Sequence, residues 1–448
     1  MRDVARRKGS CLTDFARFEK EIPLNGQSWV TETRRAAISR CAELGFPTTR
    51  HEEWKYTSVV PITKIPFKPG GVELRGLTAN KVQRITFGNW DCNQVVFVNG
   101  FYSPELSSHR QLPAAVNLGS LAMALSTHRD LVEPHLARYA SYEDHPFTAL
   151  NTAFMRDGAF MNIPGGGVVE DPIHLIYLST VGSEPTVSHP RNLIVVGKDS
   201  HATIVESYVG LGDGVYFTNA VTEILMGENA VVEHYRLQRE SEKAFHISTL
   251  QVQQNRSSTF SGHSVSIGGT LVRNNVNAVL DGEGVDCTLN GLYLVAGRQH
   301  VDNHTRIDHV RPHGTSRELY KGILDEESRG VFNGKVVVWK DAQKTDAKQT
   351  NKNLLLSKDA EVNSKPQLEI LADDVKCTHG TTVGQLEEEQ LFYLRSRGLD
   401  REIAQGLLTQ GFASDTINRI RIDAIRAALE GIVLRRFLKD KGFGETVQ

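Results

Sequence analysis

Gly197-Lys-Asp-Ser-His-Ala-Thr-Ile204 and Gly227-Glu-Asn-Ala-Val-Val-Glu233 are the stretches whose reading decides the fold. In each, a glycine and polar residues that favour tight turns run straight into β-branched or apolar residues, as a strand does on leaving a turn. Gly282-Glu-Gly-Val-Asp-Cys-Thr288 and Ser357-Lys-Asp-Ala-Glu-Val362 repeat the theme imperfectly. Around them, from about residue 158, short runs rich in Val, Ile, Thr and Tyr alternate with Gly, Asn, Asp and Ser, and proline is rare after Pro190. Such recurrence predicts a mainly β chain of stacked rungs, a β-helix. A β-sandwich is the competing architecture. At this length a sandwich would be unusually large, whereas a solenoid grows by adding rungs that touch only their neighbours. A β-helix exposes strand edges at its ends, and these must be capped or paired; the flanking helical regions are the candidate caps.

On the N-terminal side, Trp29–Leu44 carries Ile38, Cys41 and Leu44 near helical spacing, and Gly45 with Pro47 gives a stop signal. A short strand is expected at Val95–Val98, closed by Asn99-Gly100, with helix-like stretches at Leu118–Leu125 and Phe147–Met155. On the C-terminal side, a helix over Glu387–Ser396 ends at Gly398. Asp400 is placed to N-cap Arg401–Gln410, and Gly411 is expected to stop that helix. Ser414 or Asp415 then opens a long helix. Its stripe of Ile422, Ile425, Leu429, Ile432 and Val433 needs a neighbouring helix or a partner protein to pack on, and Arg419, Arg421, Arg426, Arg435 and Arg436 crowd the other faces. The expected regions are an N-terminal α-rich region over 1–157, a β-helix core over 158–385 and a C-terminal helical region over 386–448.

The chain has 448 residues, a formal net charge of -2, 40% hydrophobic and 23% charged residues, so neither a nucleic-acid footprint nor a membrane footprint follows. Its apolar runs at 193–196 and 336–339 fall far below the roughly 20 residues of a membrane helix. The basic N-terminus is followed by no apolar stretch of the kind a secretory signal needs, and a cytoplasmic protein is the expectation. Five scattered cysteines, none in a Cys-x-x-Cys pair, argue against a disulfide framework or a zinc ribbon.

No Gly-x-x-x-x-Gly-Lys-Ser/Thr, Gly-x-Ser-x-Gly or His-Glu-x-x-His is present. Gly210-Leu-Gly-Asp-Gly214 has the wrong spacing and context for a dinucleotide loop. Two constellations remain. The first runs from His300 to His313; in a strand, His300, Asp302 and His304 share one face. They can be metal ligands or polar rung residues bonded across the solenoid. A third reading is a carbohydrate-active enzyme with Asp302 and Asp308 as its acid and base. The second constellation is Asp373-Asp374-Val-Lys-Cys377-Thr-His379-Gly380. Cys377 and His379 project from the same face of a strand, which makes them either half of a metal site or a satisfied structural pair.

Longer motifs carry a family resemblance. His51-Glu-Glu-Trp-Lys-Tyr-Thr57, after Gly45-Phe-Pro47, resembles the N-terminal signature of the SufB/SufD family of iron–sulfur cluster assembly proteins, in its SufD form. Ser316, Tyr320-Lys-Gly322, Ser328, Val331-Phe332, Gly334-Lys335, Ala342-Gln343, Gln349-x-Asn351 and Leu354-Leu-Leu-Ser357 resemble the core shared by both forms. Leu368-Glu-Ile-x-Ala-Asp-Asp-Val-Lys-Cys-Thr-His-Gly380, Thr382-Val-Gly-Gln-Leu386 and Leu391-Phe-Tyr-Leu-Arg-Ser-Arg-Gly398 complete the series in family order. The resemblance implies a right-handed parallel β-helix with helical ends and a non-catalytic scaffold subunit. It further implies a heterodimer with a SufB-like paralogue, or a homodimer when alone, and docking of the SufC ATPase on the helices over 386–438. His379, with Cys377 as a second donor, would hold a transient cluster shared with SufB. No cofactor is expected to be stably bound by the chain itself, and a flavin is neither assigned nor excluded by the sequence.

Overall fold

The computed structural model describes residues 2–22, 28–71, 74, 76–88 and 90–437, with side chains from residue 11. The part of the expected C-terminal region beyond Phe437, including Leu438, lies outside the described residues.

The core is a parallel β-solenoid. In chain order its strands are β1 (Asn93–Val98), β2 (Ala159–Ile163), β3 (Ile173–Thr180), β4 (Arg191–Val196), β5 (His201–Leu211) and β6 (Tyr216–Met226). Then come β7 (Val231–Arg239), β8 (Phe245–Gln254), β9 (Thr259–Ile267), β10 (Leu271–Leu280), β11 (Asp286–Val295) and β12 (His300–His309). The last rungs are β13 (Thr315–Leu324), β14 (Arg329–Val338), β15 (Asp346–Leu355), β16 (Glu361–Ile370) and β17 (Lys376–Gly384). Even-numbered strands stack in one sheet and odd-numbered strands in the other, each strand pairing in parallel with the one two ahead. A few shorter strands flank them.

Alternation within each strand divides the residues between interior and exterior. In β7, Val232 belongs to the interior core, while Tyr235 and Leu237 face outward under the C-terminal helices. Interior columns trade size between rungs: a Cβ on Gly291 of β11 would lie 2.2 Å from the ring of Tyr320, its register neighbour in β13, so only glycine leaves that ring its place.

The recurring turns are stacked as well. Asp199, Asn229, Ser257, Gly284, His313 and Lys344 all have positive φ at the same corner, where even strands pass to odd strands. The amide of each donates to a carbonyl of the next turn: Asp199 to Glu228, Asn229 to Arg256, Ser257 to Glu283, Gly284 to Pro312, His313 to Gln343 and Lys344 to Asp374. The stack therefore satisfies turn amides that a lone hairpin would leave to water. Ser357, which the sequence groups with these turns, belongs to the opposite corner, between β15 and β16.

Helices cover the outer faces. α1 (Arg2–Glu21), α2 (Ser28–Leu44) and α3 (Pro146–Phe154) lie over the even sheet, where Phe15, Phe18, Ile38 and Phe147 join Phe217, Phe245 and Leu271 in one cluster. α4 (Glu388–Ser396), α5 (Arg401–Ile417) and α6 (Asp423–Phe437) follow the last strand. Ile425, Leu429 and Val433 of α6 and Ala413 and Ile417 of α5 share a buried cluster with Val205, Tyr235 and Leu292 of the odd sheet. At about 1.5–3 kcal/mol per fully buried Leu, Ile or Val, this face holds the helices on the solenoid. The apolar stripe thus packs within the chain.

Four local expectations are corrected. Leu118–Leu125 begins as a strand, Asn117–Ser120, and turns helical only at Leu121, where Ser120 Oγ accepts from the Met123 amide at 3.2 Å. Gly411 does not stop α5, because burial of Ala413, Thr416 and Ile417 outweighs the ~1 kcal/mol helix cost of a glycine. The following helix accordingly opens at Asp423, not at Ser414 or Asp415. The C-terminal helices, expected as a candidate end cap, lie on the odd-sheet side of the solenoid, and the described residues leave the last rung uncovered.

Candidate functional site

The uncovered end is formed by β16 and β17. Among the described residues each pairs on one side only, β16 with β14 and β17 with β15, so two long strands present unpaired edges. Large apolar side chains are exposed beside them: Ile370 at 41%, Leu371 at 56% and Val383 at 49%. An unpaired strand edge is a template for another strand.

Cys377 and His379 stand on β17 at this end, and the register fixes their direction. Cys377 is opposite the buried Ala347, and His379 is opposite the buried Gln349. Both therefore continue interior columns of the solenoid and face the open mouth because no further rung covers them. Cys377 is half-buried against the core, and burial pushes its thiol up from the ordinary value. His379 is exposed. Of the nearby carboxylates, Asp374 is paired with Lys344. Among the described residues no group of three or more His, Cys, Asp or Glu side chains is placed to hold a metal ion.

The His300–His313 region is brought to a different place and is already engaged. Asp302, 1% exposed on the outer face of β12, accepts from Thr57 Oγ1 at 2.5 Å and from Arg273 Nη1 at 2.7 Å, with His304 Nε2 at 3.0 Å. Burial works to raise this carboxyl, but His304 and Arg273 beside it hold it well below the usual range. His300 Nε2 lies 2.9 Å from Thr57 Oγ1, and His304 Nδ1 lies 3.2 Å from Glu53. Arg273 also stacks over the Trp54 ring at 3.8 Å, and Lys365 of β16 pairs with Glu52. The histidines and Asp302 therefore clasp the segment His51–Thr57 onto the even sheet. This is the polar-rung reading extended to a partner that spacing alone does not reveal. Asp308 sits in the same strand six residues on, roughly 20 Å away. It is bound to Arg306 at 2.6 and 2.8 Å and to the indole N–H of Trp339 at 3.2 Å. Glycosidase carboxyl pairs stand about 5–9.5 Å apart, so Asp302 and Asp308 are no acid–base pair, and the carbohydrate-enzyme reading has no support.

A third surface lies on α4. Leu391 is buried, while its neighbours Phe392 and Tyr393 are 72% and 57% exposed. The helices beyond it are tied to the odd sheet: Lys321 Nζ lies 2.9 Å from Asp415 and donates to the Phe412 carbonyl at 3.0 Å, and Arg421 pairs with Glu233. Among the described residues no helix is long and apolar enough to cross a membrane.

Residues 178–412 match the family described as SUF system FeS cluster assembly, SufBD core domain, and residues 8–175 match the SufBD protein N-terminal region. An iron–sulfur cluster assembly SufBD family protein of Synechocystis is 36% identical over 414 residues, covering 91% of this chain and 91% of that one. The iron–sulfur cluster assembly protein SufD of Escherichia coli is 31% identical over 391 residues, 87% of this chain and 89% of that one. The iron–sulfur cluster assembly protein SufB of Bacillus subtilis is 27% identical over 293 residues, with 64% and 62% covered.

Proposed function

The chain belongs to the SufB/SufD family of SUF iron–sulfur cluster assembly proteins, and from that premise we propose that it is a non-catalytic scaffold subunit holding nascent cluster at its open solenoid end. The observation that carries this reading is the uncovered last rung, where Cys377 and His379 sit between two unpaired strand edges. The edges and the apolar residues Ile370, Leu371 and Val383 suit strand-to-strand pairing with a SufB-like paralogue. Such pairing encloses the mouth.

The cluster is cargo, and the donor set fits a shared, temporary hold. An imidazole and a thiol are two donors, whereas iron–sulfur clusters are commonly held by four thiolates. The remaining ligands come from the facing subunit or from sulfide that arrives with the iron. His379 binds iron through a neutral ring nitrogen, and Cys377 follows as thiolate once metal displaces its proton. Burial of the thiol keeps Cys377 protonated until then.

The chain has no P-loop, so nucleotide hydrolysis enters from a SufC-type ATPase. Phe392 and Tyr393 on α4 supply the exposed aromatic anchors for that docking. α5 and α6 are pinned to the odd sheet, so ATP-driven movement of the docked subunits passes to the rungs and opens the mouth for iron and sulfur.

Co-expression of this chain with the SufB-like and SufC-like proteins of its own organism, followed by size-exclusion light scattering, tests the assembly. A stable complex of all three is expected; a lone chain that ignores both overturns the reading. Within that complex, His379→Ala is expected to abolish cluster assembly without changing the mass, and retained assembly removes His379 from the ligand set.

A further inference from the structure

Two buried core residues that play no part in holding the cluster line up with His379 inside the last rungs. Glu318 of β13 is opposite Gln349 of β15, and Gln349 is opposite His379 of β17, so the three form one interior column ending at the mouth. Glu318 and Gln349 are buried, and Gln349 Nε2 donates to Glu318 Oε2 at 2.7 Å. Gly334 makes the room: a Cβ there would lie 2.3 Å from Gln349 Nε2. With Nε2 donating to Glu318 Oε2, the amide NH₂ of Gln349 faces the rung behind it. The other end, Gln349 Oε1, is buried and meets no donor among the described residues. With the β13 side taken, its remaining register neighbour is His379, on a strand about 4.8 Å away.

We propose that Gln349 is a positioning residue for His379: once the exposed ring turns onto the column, Gln349 Oε1 accepts the N–H of one imidazole nitrogen and leaves the other nitrogen bare toward the mouth. Histidines that bind metal almost always donate their second ring N–H to an oxygen, which fixes tautomer and ring orientation. The column supplies that oxygen from inside the solenoid, held by Glu318 and accommodated by Gly334. The proposal rests on the reading of His379 as an iron ligand, but its direct readout needs no iron.

The test is ¹⁵N NMR of the histidine-labelled full chain, with the His379 signals assigned by their loss in His379→Ala. Wild type is expected to hold one neutral tautomer at His379. Gln349→Leu, and Gln349→Asn as a shorter polar variant, are expected to give a mixture. The exchanged pair Glu318→Gln with Gln349→Glu, which keeps a donor behind and an acceptor ahead, is expected to restore the single tautomer. The same tautomer ratio in wild type and in a folded Gln349 variant overturns the proposal. In the complex, the Gln349 variants are expected to weaken iron retention about tenfold. A tautomer change in the Gln349 variants with intact assembly in His379→Ala would uphold the column and sink the ligand reading instead.

Discussion

Glu318 is the clearest case of a residue whose chemistry is set by its rung. Burial pushes its carboxyl up from 4.5 to about 7, with only Gln349 and nearby hydroxyl help to offset that. The folded chain therefore holds a proton that the unfolded chain releases, and stability falls as pH rises from about 4.5 to about 7. The full cost is on the order of 3 kcal/mol above that window. Glu318→Gln is expected to flatten this slope: urea denaturation at pH 5 and pH 8 should show wild type losing more stability than the variant, and parallel losses would contradict the assignment. Cys377 and His379 were legible because alternate residues in a strand share a face. Gln349 and Glu318 were not. Gln349 belongs to a family motif and Glu318 falls between two motif residues, but their column exists only once the strand register is known, and a glutamine carries no chemical signature of its own.

At the scale of elements, the segment His51–Thr57 and strand β12 explain each other. Both stood out in the sequence, the first as a family motif and the second as a run of histidines and carboxylates, and they are 245 residues apart where Thr57 meets Asp302. Asp302→Ala would leave Arg273 buried without its partner, at a cost of about 3–5 kcal/mol, and should raise hydrogen exchange through residues 51–57. Asp308→Ala removes a partly exposed contact at the strand's other end and should leave exchange at 51–57 unchanged. If the two variants behave alike, the clasp is not local to Asp302. The same scale explains Gly411: read alone it marks a stop, yet packing of the next turn against the odd sheet carries α5 through it.

For the whole molecule, the unpaired edges of β16 and β17 dominate. Leu371→Lys with Val383→Lys places charge on the exposed edge without disturbing buried contacts, so stability should move by less than about 0.5 kcal/mol. Pairing with the paralogue should be lost on light scattering; a complex that survives both changes would place the interface elsewhere. From the sequence alone came the solenoid, read from turns that must recur if identical units stack, the helical flanks, and the Cys377–His379 pair on one strand face. These depend on local periodicity, which a linear sequence records in full. Only the tertiary structure decided that the last rung is left open, that the C-terminal stripe is spent on the odd sheet, and that the histidine-rich strand is a clasp. Those outcomes depend on which distant surfaces meet, and burial and register, not spacing, determine that.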